Sequence, residues 1–150
     1  MEDLILKSIE NGGEFRLITA GVSMMPLLRN RKDIVVLRKP EGRLKKYDIP
    51  LYKRKNGQYV LHRVVKCTQG CYYLRGDNQF ETEKGIKDEN IIAVVSKIIR
   101  GSSEINVKTS ILYKFYVFFR CRLFPIRYVF RKIRSAVALI VKKLLSKLNI

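Results

Sequence analysis

Apolar and polar positions change rhythm several times along this 150-residue chain. In residues 2–10 the apolar positions Leu4, Ile5 and Ile9 suit a short amphipathic helix, closed by Asn11-Gly12-Gly13. Glu14–Ala20 is rich in strand formers. A turn follows, Gly21-Val22-Ser23-Met24-Met25-Pro26. Asp33–Leu37 is a strand by composition, and Lys39-Pro40-Glu41-Gly42 ends it. Residues 44–49 lead into Pro50–Arg54, where Pro50 predicts an edge strand or a bulge. Asn56-Gly57 signals a hairpin into Tyr59–Val65, read as one strong strand. Thr68-Gln69-Gly70 is a turn, Cys71–Leu74 a strand, and Arg75–Glu89 a polar loop. Asn90–Ile99 closes the set as a long strand. The polar stretch 101–108 marks a boundary.

The pattern predicts a mostly β fold over residues 1–100, small, coiled and barrel-like, then a linker at 101–108. From residue 109 the rhythm becomes helical. Ile111–Phe119 is aromatic and apolar, Pro125 interrupts, and residues 127–148 alternate apolar clusters with cations. A basic amphipathic helical tail over 109–150 is expected.

Charge sharpens that reading. The formal net charge is +18. Residues 109–150 hold ten cations (Lys114, Arg120, Arg122, Arg127, Arg131, Lys132, Arg134, Lys142, Lys143, Lys147) and no acid; residues 1–108 carry 21 basic and 13 acidic groups, a net +8. A polyanionic partner is implied. Cations near an anionic leaflet contribute about 1 kcal/mol each, and the aliphatic bulk at 137–148 favours lipid over nucleic acid. No apolar run approaches the roughly 20 residues a membrane span needs, and the N-terminus is too briefly apolar for a signal peptide. Peripheral attachment on the cytoplasmic face is the expectation. Cys67, Cys71 and Cys121 are expected as reduced thiols, and no zinc spacing pairs with the lone histidine, so neither metal nor cofactor is anticipated.

The candidate chemistry lies in three separated segments. Gly21 and Pro26 frame Ser23 in a turn that can hold a hydroxyl at a fixed point. A serine needs a base to take its proton as it attacks. His62 is the only histidine, and its ordinary pKa near 6.5 suits that role. A carboxylate behind the imidazole would fix its tautomer, and the segment Asp77–Glu83 offers one.

Gly21–Pro26 resembles the Gly-x-Ser-Met-x-Pro motif of the signal peptidase/LexA-like serine peptidase superfamily. Asp33-Ile34-Val35-Val36, Tyr47–Tyr52, Leu61–Val65, Leu74–Asn78 and Ile92–Ile98 resemble its further motifs in order. A histidine rather than a lysine at position 62 is similar to the endoplasmic-reticulum-like branch. The resemblance implies Ser23 as nucleophile, His62 as general base and the Ser23 backbone N–H as an oxyanion donor. It implies Asp77 as third member, at a motif position, with Glu83 the alternative. Lys32 and Tyr47 stand where the family has glycines, so those turns differ, and Gly21 stands where some members have a serine donor. The implied function is a serine endopeptidase removing a signal or leader segment from a precursor at a membrane surface. The alternative is a catalytically inactive peptidase-like basic protein that binds membrane or nucleic acid.

Overall fold

A computed structural model describes residues 2–147; within its last helix the side chains at 142–144 and 146–147 are outside the description, and so are residues 148–150. Tail positions named above that fall there are Lys142, Lys143 and Lys147, with part of the aliphatic stretch 137–148. The chain forms two compact units, Met1–Lys114 and Phe115–Ile150.

The first unit is mostly β. It opens with α1 (Glu2–Ile9), whose Ile5 and Ile9 are buried, as their spacing on one helical face dictates. The strands are β1 (Phe15–Ile18), β2 (Ile34–Arg38), β3 (Pro50–Lys53), β4 (Tyr59–Leu61), β5 (Arg63–Cys67), β6 (Tyr72–Arg75), β7 (Glu83–Ile86), β8 (Ile91–Arg100) and β9 (Ser103–Asn106). A curled, half-barrel sheet runs β1-β2-β8-β3-β4, all pairs antiparallel, and a second sheet runs β5-β6-β7. The ten-residue β8 is the spine. It pairs with β2 along one edge, and with β3 and then β9 along the other. Val35, Leu37, Leu51, Ala93 and Ile98 bury its neighbourhood, while Tyr52, Val64, Tyr72 and Leu74 fill a second cluster between the sheets.

Of the two outcomes expected at Pro50, an edge strand or a bulge, the second holds: β3 lies inside the sheet, with Pro50 as its first residue and a register shift at Leu51/Tyr52 against β8. Three other expectations change. Residues 59–65 are not one strand. The chain leaves the first sheet after Leu61 and enters the second at Arg63, so His62 is the switch residue between them. The loop expected over 75–89 contains β7, which pairs with β6 through Tyr72↔Ile86 and Leu74↔Glu83. The linker expected at 101–108 contains β9, which folds back on β8, and the first unit continues to Lys114. A polar composition suits both a linker, which buries nothing, and an exposed edge strand, which needs apolar side chains on one face at most.

The C-terminal helices are α2 (Ile111–Arg122) and α3 (Phe124–Lys147). Pro125 lies in the first turn of α3, where its missing N–H costs no helical bond.

Candidate active site

The loop between β1 and β2 carries Ser23, and polar contacts at its base hold it closed. Thr19 N–H donates to the Asp33 carbonyl at 3.2 Å, and Arg31 N–H to the Thr19 carbonyl at 2.7 Å. The buried Asp33 carboxylate receives the Arg29 backbone N–H at 2.9 Å, the Arg29 guanidinium at 2.7 Å and Arg100 at 3.1 Å. Burial alone would raise its pKa. These donors outweigh burial and hold it at about 2. Within the loop, Met25 N–H closes a turn on the Val22 carbonyl at 3.2 Å, with Ser23 and Met24 in the middle.

A second loop clamps this turn from outside. Asn78 N–H donates to the Ser23 carbonyl at 2.7 Å, and Asn78 Nδ2 to the Val22 carbonyl at 3.2 Å. Gly76 is required there by space: a Cβ would lie 2.6 Å from the Ser23 carbonyl oxygen. Between them Asp77 forms a buried two-point pair with Arg63, at 2.8 and 2.7 Å. The same guanidinium donates to the Tyr47 carbonyl at 3.1 Å and to the Tyr113 hydroxyl at 2.7 Å. Tyr47 stands where the resemblance implies a glycine, and it adopts φ +80°.

His62, 1% exposed, is held by its position at the sheet switch. Its Nδ1 is 3.0 Å from the Tyr52 hydroxyl and 3.1 Å from Glu83 Oε1. Arg54 Nε donates to Glu83 Oε2 at 2.9 Å, and Arg54 Nη2 to Oε1. Burial drives the Glu83 pKa up, but hydrogen bonds from Arg54 and Tyr52 more than reverse that, so it lies below the usual glutamate value. Burial, reinforced by the Glu83 charge, raises Tyr52, which stays protonated. Burial also pushes His62 below its ordinary value, against the opposing pull of Glu83. An ionised carboxylate only accepts hydrogen bonds, so the proton of the neutral ring belongs on Nδ1. That leaves Nε2 as the basic nitrogen.

Ser23 and His62 line one cleft of about 500 Å³. Leu17 and Ile18 of β1 and Tyr59–Leu61 of β4 also line it. These are the two terminal strands in the order of the first sheet. The cleft therefore lies between two sheet edges that can pair with an extended chain. No hydrogen bond joins Ser23 to His62 among the described residues; in unliganded sites such bonds are often long and tighten only around substrate.

The structure thus brings Ser23, His62 and Glu83 to one region. Asp77 takes a different place: it is committed to Arg63, and the acid against the imidazole is Glu83. The polar look of residues 75–89 hid the strand that sets Glu83 opposite Leu74 and toward His62. Sequence reasoning also passed over Tyr52, Arg54, Arg63, Asn78 and Tyr113. Tyr52 and Arg54 are two apart, the spacing that puts side chains on one face of a strand, but nothing local ties either to position 62. No family model, curated protein or solved structure matches this chain.

Proposed function

We propose that this chain is a serine endopeptidase of the signal peptidase-like type, cleaving a signal or leader segment from a precursor. Ser23 is the nucleophile and His62 the general base. Glu83, with Tyr52, holds the imidazole in its Nδ1–H form and stabilises the cation that develops. The supporting observation is the buried imidazole, fixed at Nδ1 by an ionised carboxylate 3.1 Å away and lining the same cleft as Ser23. A substrate laid as a strand between β1 and β4 presents its carbonyl to Ser23 Oγ. His62 Nε2 takes the hydroxyl proton as Oγ attacks and returns it to the departing amine nitrogen. Water then cleaves the acyl-enzyme by the same base. Neither metal nor cofactor enters these steps.

The partner reading concerns the second unit. Along α3, Ile126, Val129, Phe130, Ile133, Val137 and Ile140 share one face at helical spacing and are 53–68% exposed. Arg127, Arg131, Lys132 and Arg134 fall outside that arc. A helix with this pattern and no acid lies in the plane of an anionic membrane surface. Among the described residues no helix is long and apolar enough to cross a membrane. On this reading the amphipathic face and the cations of α3 make the chain a peripheral enzyme, with the anionic cytoplasmic leaflet as its surface.

The deciding experiment compares wild type with Ser23→Ala and His62→Ala on candidate precursors and on a quenched-fluorescent peptide library. Cleavage that requires both residues is the expected result. Equal processing by both variants overturns the reading and leaves the inactive-scaffold alternative.

A further inference from the structure

We infer that Asn78 is a positioning residue for the proposed reaction, aligning the backbone N–H groups of Ser23 and Met24 as a paired oxyanion donor. The inference rests on the peptidase reading above and adds a residue and a second donor to it. When Ser23 Oγ attacks, the carbonyl π electrons move onto oxygen and the Oγ proton moves to His62 Nε2. As the intermediate collapses, the carbonyl re-forms, the C–N bond breaks and the imidazolium proton goes to the leaving nitrogen. The oxyanion between these events needs donors that are already aimed. Gly21, at the start of the turn, has no side chain to offer.

The backbone can supply both donors. In a trans peptide the N–H points opposite to the C=O. Asn78 holds two consecutive carbonyls, Val22 through Nδ2 at 3.2 Å and Ser23 through its own N–H at 2.7 Å. With both carbonyls drawn to one residue, the Ser23 and Met24 N–H groups are directed together to the opposite side, a concave pair of donors suited to an anion. Neither N–H donates to another described residue. Asn78 is itself anchored, because Asp77 is locked on Arg63 and Gly76 sits directly against the Ser23 carbonyl. Its side chain is exposed and lines the cleft, so the core does not depend on it.

The test uses the full-length protein, the best-cleaved peptide of the library and the boronic acid of that peptide, whose tetrahedral adduct mimics the oxyanion. Asn78→Ala is expected to lower kcat about 100-fold, with KM within about twofold. It should weaken boronate binding by a matching factor and leave Tm and the pH midpoint of kcat unchanged. Asn78→Asp removes the side-chain donor at constant volume and should behave alike, so it serves should the alanine variant fail to fold. Unchanged kcat and boronate affinity, or a loss confined to KM, overturns the inference. Cleavage that needs Ser23 but ignores Asn78 removes this inference alone. Absence of Ser23-dependent cleavage removes the peptidase reading and this inference with it.

Discussion

At the residue scale, two carboxylates that look interchangeable in the sequence have separate partners. Glu83 meets His62, and Asp77 meets Arg63. Their substitutions should therefore fail differently. Glu83→Gln removes the charge that fixes the Nδ1–H tautomer, and kcat should fall by about 10²–10⁴-fold while the fold survives. Asp77→Asn leaves a buried guanidinium without its anion. It should cost roughly 3–5 kcal/mol of stability, read as a lowered denaturant midpoint. If Asp77→Asn abolished turnover at unchanged stability, the assignment would be reversed. The pH dependence also follows from burial. As the proposed base His62 must be neutral, and desolvation depresses its pKa. The rate should rise with pH through a midpoint below about 6.5, and Glu83→Gln should move that midpoint lower still, since the charge opposing the depression is lost.

At the scale of elements, the serine loop is only as fixed as its base, and Asp33 is the group at that base. Its folded pKa of about 2 lies below the unfolded value. The resulting stabilisation is fully present above about pH 4 and disappears as pH falls through 2. One group shifted this far contributes roughly 2 kcal/mol. Asp33→Asn should remove that contribution, flattening the acid limb of an unfolding-versus-pH curve; an unaltered acid limb would show that Asp33 does not carry it. The strand that divides at His62 teaches a related point. Tyr59–Val65 has continuous strand-forming character, and propensity carries no mark of where a chain leaves one sheet for another. The break puts the only histidine at a corner, where its ring can face both Glu83 of β7 and the cleft. Pro50 shows the converse. The sequence correctly demanded an irregularity there, and the structure meets it with a register shift inside the sheet.

At the scale of the whole molecule, the membrane contact proposed for the cationic helices is open to direct test. Binding to vesicles with about 30% anionic lipid should exceed binding to neutral vesicles by at least tenfold and weaken as salt rises. Replacing Phe130 and Ile133 by Ser should weaken it further without altering peptide turnover in solution. Salt-sensitive binding to single-stranded DNA with no vesicle binding would show the helices to be a nucleic-acid surface instead. Most of the strands and the helices of the tail were legible, because periodicity and turn residues act over a few positions. The β7 and β9 strands were not, because polar edge strands carry the same composition as loops.

The amino-acid order by itself determined most of the strands, the helical character of both ends of the chain, where charge accumulates and which hydroxyl and imidazole are available. Those are local properties, set by side-chain spacing and backbone preference. Only the tertiary structure decided that Glu83 rather than Asp77 backs the imidazole, that Arg63 locks the loop gripping Ser23, and that two sheet edges flank one cleft. Such pairings join residues 14 to 56 positions apart, and long-range packing alone selects among chemically equivalent partners.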